Sequence, residues 1–288
     1  MLIAISLLAT LAAIPSPAAP PAPIERTFFV TVLDNNGAAV SDLTAADFVV
    51  KEGGKEREIV KAEPASQRMR VAFAVEERMV GDTAVRMSIF EFVKRIAGRA
   101  EVSLITIGLR NTTIVDYTAD VAAFVQALNS FSLNPARESA VAEGVLELAG
   151  KFADSKPPRP VIVVASLSGG QTGVEARAVL DKLRDSGAMM YSATLDVGGP
   201  VATLNNMADQ SGREQVLGDG PKQSGGRRIS VNATGAMPAA LLQIANELLA
   251  QYAITYTLPD GVKMDRRFSI SSKRRGITLR APSAIPDK

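Results

Sequence analysis

The sequence predicts a doubly wound α/β domain, a mostly parallel sheet with helices on both faces, joined to a small β-subdomain made from strands at the two ends of the chain. Three observations predict it. Four short apolar runs, RVAFAV at 70–75, VSLITI at 102–107, VIVVA at 161–165 and MMYSATL at 189–195, are almost free of charge, as strands covered on both faces are. Segments between them carry apolar residues at every third or fourth position, the helical period. Strand-and-turn patterns are confined to the ends of the chain, before residue 67 and after residue 251.

At the N-terminal end, FFVTVL at 28–33 is a strand, Asp34-Asn35-Asn36-Gly37 a turn, 48–51 a second strand and Gly53-Gly54 a second turn. The first helix carries Val85, Ile89, Val93 and Ile96. The second carries Val121, Phe124, Val125 and Leu128 behind Asp120, an N-cap residue. A third has Val141, Val145, Leu148 and Phe152. A fourth has Val179, Leu180 and Leu183 and stops at Gly187, which suits a left-handed C-cap. A fifth is expected from about Pro200 to Gln210, before Gly212, and the Gly/Gln/Ser-rich stretch between Leu217 and Ile229 reads as a mobile surface loop. The last helix starts at Pro238, a first-turn position for proline, with Leu241, Ile244, Leu248 and Tyr252 on one face. Strands follow at 253–258, 267–272 and 277–280, the first two separated by the turn Pro259-Asp260-Gly261. Neither end has enough strands to stand alone, so the two are expected to pair. The expected organisation is an export signal at 1–18, a linker at 19–25, an N-terminal β segment at 26–66, the α/β domain at 67–251 and a C-terminal β segment at 252–288.

Composition narrows function. The chain has 288 residues, 47% apolar and 22% charged, enough for a real core, which excludes disorder. With 32 basic against 30 acidic residues, no overall field draws it to nucleic acid. It has no histidine and no cysteine, which removes imidazole catalysis, thiolate metal sites, disulfides and iron–sulfur clusters. The first 24 residues have no charged side chain, and the apolar run 2–14 precedes Pro15-Ser16-Pro17-Ala18-Ala19. This is an export signal with cleavage expected after Ala18. The run is shorter than the ~20 residues a spanning helix needs, so no stable membrane span is expected and the mature chain is periplasmic or secreted.

Three strings, VTVLDNNGAAVSDLTAADFVVKEGGKEREI at 30–59, VIVVASLSGG at 161–170 and LLAQYAITYTLPDG at 248–261, in this order around the alternating core, resemble the von Willebrand factor type A (VWA) domain, and more narrowly the exported bacterial VWFA-related proteins. The resemblance implies a Rossmann-like α/β fold and an interaction function. It also implies a divalent cation held by Asp-x-Ser-x-Ser after the first core strand, a Thr in a later loop and an Asp after the fourth strand. This chain departs from that pattern. Ala74 aligns with the Asp, Glu76 and Arg78 with the two serines, Ser139 with the Thr and Leu167, within Ser166-Leu167-Ser168, with the second Asp.

The site is therefore read as degenerate, with no metal and no cofactor, because two hydroxyls and a displaced glutamate do not replace two aspartates. Three alternatives stand for Glu76, Glu77 and Arg78: solvated loop residues, glutamates turned inward toward a cation, or an internal ion pair filling the emptied pocket. If the face binds a partner, the expected contacts are Glu76, Glu77, Arg78, Ser139, Ser166 and Ser168. Ser168 before Gly169-Gly170 is faintly like a nucleophile elbow, and without histidine only a Ser-Lys mechanism could serve it. Gly169-Gly170 lacks any phosphate-loop continuation. Lys263, Arg266, Arg267, Lys273, Arg274, Arg275 and Arg280 read as a solvated basic edge, or as a contact for an anionic surface. The function expected is a non-catalytic, exported, metal-independent binding module with a protein partner. A structural component of an envelope assembly is the alternative, and a Ser-dependent hydrolase a remote one.

Overall fold

The structure, a computed structural model, describes residues 23–196, 207–259, 265 and 267–286. The expected export signal, most of the linker, residues 200–206 of the expected fifth helix, Asp260 and Gly261 of the expected turn, Lys263 and Arg266 lie outside the described residues. The chain opens with β1 (Ile24–Asp34), β2 (Phe48–Glu52), β3 (Lys55–Arg57) and β4 (Ile59–Pro64). It continues through β5 (Met69–Glu76), α1 (Asp82–Ile96), β6 (Ala100–Ile107), β7 (Asn111–Thr118), α2 (Val121–Ser130), α3 (Val141–Ser155) and β8 (Pro160–Leu167). Then come α4 (Ala176–Ser186), β9 (Met189–Leu195), α5 (Met207–Ser224), β10 (Arg228–Val231) and α6 (Met237–Leu249). The C-terminal strands are β11 (Gln251–Leu258), β12 (Phe268–Ser272) and β13 (Ile277–Arg280).

The apolar runs form a six-stranded sheet in the order β10-β9-β8-β5-β6-β7, parallel except for the edge strand β7. Strand alternation sends its two faces into separate cores. Val71, Phe73 and Val75 point toward α1, α2 and α6, while Ala72 and Ala74 point toward α3, α4 and α5. Both sides of β5 are thus fully buried, which is why it reads as an unbroken apolar run. This is the doubly wound layout that the VWA resemblance implies. The Asp120 carboxylate accepts from the Ala122 and Ala123 amides at 2.8 and 3.2 Å, and Gly187 ends α4 at φ 66°. Asp120→Ala is expected to cost ~1 kcal/mol, read as a lower urea midpoint with an unchanged slope.

Two expectations around residues 200–252 are corrected. Among the described residues the fifth helix covers Met207–Ser224, so it continues well past Gln210, and the stretch expected as a mobile loop supplies its second half and then β10. Val216 and Leu217 are fully buried on this helix, and tertiary packing outweighs the poor helical propensity of Gly212, Gly218 and Gly220. Pro221 has no N–H to offer the Leu217 carbonyl one turn back. The Ser192 hydroxyl of β9 donates to that carbonyl instead, at 2.7 Å, so the break in the ladder is satisfied. After the helix, Gly226 lies so close to β9 that a Cβ there would sit 1.9 Å from the Met190 carbonyl oxygen. The second correction is Tyr252, which belongs to β11 and not to the last helix, because α6 ends at Leu249.

The terminal strands form two facing sheets, β13-β1-β11-β4 and β12-β2-β3, around Phe28, Val30, Val50, Tyr252, Ile254 and Tyr256. N- and C-terminal segments pair as expected, Ile24 opposite Leu258 through Thr31 opposite Gln251. Inside this sandwich Glu52 is buried between Arg26 Nη1 at 3.3 Å and the Tyr256 hydroxyl, which donates to it at 2.7 Å. Burial and the neighbouring glutamate push the Tyr256 phenol well above its ordinary pKa. The basic edge is more paired than expected. Arg274 meets Asp42 at 2.7 Å, Arg267 meets Asp265 at 2.8 Å, and Arg280 bonds the buried Glu247 on α6. Arg274 and Arg280 tie the C-terminal strands to the rest of the fold, while the Arg267 pair is local to the approach to β12. No helix among the described residues is long and apolar enough to cross a membrane.

Candidate functional site

Strand order places the candidate site. From β5 the chain winds to β6 on one side, then returns through β8 on the other, so the carboxyl ends of β5 and β8 flank the point where the winding reverses. Open α/β sheets bind ligands in the crevice at such a point. Glu76 is the last residue of β5 and Leu167 the last of β8.

The Glu76 carboxylate is fully buried there. Its Oε1 accepts a short hydrogen bond from the Ser139 hydroxyl, and its Oε2 accepts from the Leu167 amide at 2.8 Å. Its close cationic partner is Arg213 on α5, whose Nη2 donates to Glu76 Oε2 at 2.8 Å and to the Leu167 carbonyl at 2.9 Å. Both side chains of this ion pair are wholly inaccessible to solvent. Ala74, by contrast, is two residues deeper in the strand and packs in the α3-facing core. The carboxylate that reaches the strand end is therefore Glu76, not a residue at position 74.

Around this centre lies a polar rim. Glu77 is half-buried, accepting from Thr106 Oγ1 at 3.2 Å and pairing with Arg137 at 3.3 Å, while its carbonyl accepts from the Asn134 amide. It fixes the loop that carries Ser139. Arg78 is 31% exposed, with its Nε 3.8 Å from Glu76 Oε1. The Ser168 hydroxyl donates to Asp196 at 3.1 Å, and among the described residues no lysine bonds to it. Gly169 and Gly170 have φ of 74° and 125°, and Gly170 packs against the Arg213 guanidinium, where a Cβ would meet Nη1 at 3.0 Å.

The donor set does not fit a divalent cation. Both Glu76 oxygens are engaged, and among the described residues no three Asp or Glu converge. A guanidinium also occupies the pocket. A divalent ion ~4 Å from it would be repelled by roughly 8 kcal/mol at an effective dielectric of ~20. Two expectations change with this geometry. Glu76 is not a solvated loop residue, and neither Glu76 nor Ser166 can touch a partner, since both are completely buried. Their burial follows from the inward turn of the β5 end and from Ser166 lying within the last residues of a strand covered on both faces.

Sequence reasoning missed Arg213. Its signal was the spacing Arg213, Val216, Leu217, Gly220, one face of a helix, hidden by the glycines around it. The hydroxyl of Ser166 and the Nε and Nη1 donors of Arg213 are buried with no partner among the described residues.

Searched against known families and curated proteins, the sequence has no match. Solved structures similar to it include an aerotolerance-related membrane protein from Bacteroides fragilis NCTC 9343 carrying multiple mutations to serines. It is 16% identical, with a TM-score of 0.47 over 62% of this chain and 99% of its own. The conserved hypothetical protein BatB from Bacteroides thetaiotaomicron is 16% identical, with a TM-score of 0.43 over 63% and 98%. A von Willebrand factor type A protein from Catenulispora acidiphila is 11% identical, with a TM-score of 0.45 over 88% and 73%.

Proposed function

We propose that this chain is an exported, non-catalytic binding module of the VWA type, in which the Arg213 guanidinium occupies the strand-end pocket in place of a metal ion. The observation that carries this reading is the buried Glu76–Arg213 pair at the winding reversal, closed by Ser139 and the Leu167 amide. A fixed internal cation holds the loops after β5 and β8 together without depending on ion concentration. The surface left for a partner is the rim, with Glu77, Arg78, Arg137 and Ser168. Mature protein titrated with Mg²⁺ or Ca²⁺ in a calorimeter is expected to give no stoichiometric heat. Micromolar binding that disappears in Glu76→Ala/Glu77→Ala would sink the metal-free reading.

Complete burial of the centre also favours the second reading, a scaffold component of an envelope assembly whose contacts lie elsewhere on the molecule. In-cell crosslinking followed by pull-down separates the two. Capture of a partner that persists in chelator and is lost in Arg78→Glu/Arg137→Glu supports rim binding, which should weaken with salt. Capture unaffected by those substitutions supports the scaffold reading, and a chain that captures nothing removes both.

A further inference from the structure

At the opposite end of the sheet from Glu76 lies a cavity of about 350 Å³, between the starts of β8 and β9, the ends of α4 and α5, and the outer face of β1. Its size falls in the range of small-molecule sites, roughly 300–1,000 Å³. Half-buried Phe29, Leu180 and Ile285 line it together with buried Leu183 and Met189, so most of the wall is apolar. Residues 282–286 lie across it as a strap. The Ser283 amide donates to the Gln223 carbonyl at 2.8 Å, and Arg26 Nη2 donates to the Pro286 carbonyl at 2.6 Å.

One buried charge in this wall has no counter-ion among the described residues. Arg159 is 2% exposed, and its guanidinium donates only to neutral acceptors, the carbonyls of Gln67 and Leu248 and Oε1 of Gln251. Its Nε is buried with no partner among the described residues, and its Cζ lies 5.0 Å from the centre of the Phe29 ring. Burial, with Arg99 nearby, holds its pKa down to about 10. The rim carboxylate Asp185 faces Arg184 at 3.6 Å instead. Lys156, exposed at the mouth, has no ion pair among the described residues. Buried cations without a carboxylate partner are rare because desolvation is uncompensated. An apolar cavity whose wall carries such a cation is complementary to one class of molecule.

We propose that this cavity is a binding site for a small amphiphilic monocarboxylate, its apolar body against Phe29, Leu180 and Leu183 and its carboxylate turned toward the Arg159 end. The site is separate from the Glu76 centre and does not depend on what that centre does. Decanoate, 1-decanol and decylamine, titrated into the full chain in a calorimeter, test it. Decanoate is expected to bind at one per chain, decanol at least about tenfold more weakly, and decylamine not measurably, as a charge-assisted contact requires. Leu180→Trp, which fills the cavity from a half-buried position, is expected to abolish decanoate binding while the melting temperature stays near that of the parent. Arg159→Met is expected to erase the difference between decanoate and decanol. Equal affinity for decylamine, no decanoate binding at millimolar concentration, or unchanged affinity in Leu180→Trp would each overturn the proposal.

Discussion

Arg213→Met is expected to destabilise the protein by ~3–5 kcal/mol, because it leaves the fully buried Glu76 carboxylate without its 2.8 Å cation and with only the more distant Arg78, 3.8 Å away, to offset its charge. Methionine keeps an unbranched apolar stem in place of the arginine's and removes the guanidinium that packs against Gly170, so the loss is chiefly that of the cation. For a domain of this size each kcal/mol is worth roughly 2–4 °C, giving a fall in Tm on the order of 10 °C. Glu76→Gln alone should also be costly, since Arg213 then keeps a buried charge without a carboxylate. The double variant Glu76→Gln/Arg213→Met carries no buried charge and is expected to recover most of the loss. A double-mutant cycle by urea denaturation reads this as a coupling of several kcal/mol, well beyond the ~0.5 kcal/mol within which independent sites add. Additive single effects, or a loss below ~1 kcal/mol in Arg213→Met, would show that the pair is solvated and does not hold the strand ends together.

The same pair marks where sequence reasoning stops. The α/β core was legible because burial on both faces imposes apolar runs on β5, β6, β8 and β9, and because α1, α2, α3 and α4 repeat at the helical period. Strand β7, NTTIVDYT, was not, since an exposed antiparallel edge needs no apolar face and shows only mixed polarity. Strand β4, IVKAEP, escaped for the same reason. In α5 the local signals of Gly212, Gly218, Gly220 and Pro221 point away from a helix. What makes the helix is contact with β9 by Val216, Leu217 and the Ser192 hydroxyl, all supplied from far along the chain. At the site, Glu76, Ser139 and Leu167 were legible as positions because the motif resemblance marks them. The charge that decides their chemistry sits 137 residues from Glu76, and nothing local to either residue announces the other.

Truncation after Gln251 is expected to unfold the β-subdomain while the six-stranded sheet survives. The sheet order β13-β1-β11-β4 means that, among the described residues, both neighbours of β1 and the partner of β4 lie beyond residue 251 but for Gln251 itself. Of the second sheet only the β2-β3 hairpin would remain, and an isolated hairpin is marginal in water. Tyr252, Ile254, Tyr256 and Leu258 would also be lost from the core that covers Phe28, Val30 and Val50. The α/β sheet, in contrast, keeps every one of its strands, and its two cores are built from residues before 251. Hydrogen exchange should therefore become nearly unprotected in β1, β2 and β4, with protection in β5 and β8 retained, because local opening without partners approaches zero free energy. Limited proteolysis should cut first between residues 28 and 50. Protection of β1 equal to that in the full chain would mean that the N-terminal strands are held by the α/β core, through contacts such as Phe29 over Arg159 and Thr31 with Tyr191, and not by their C-terminal partners.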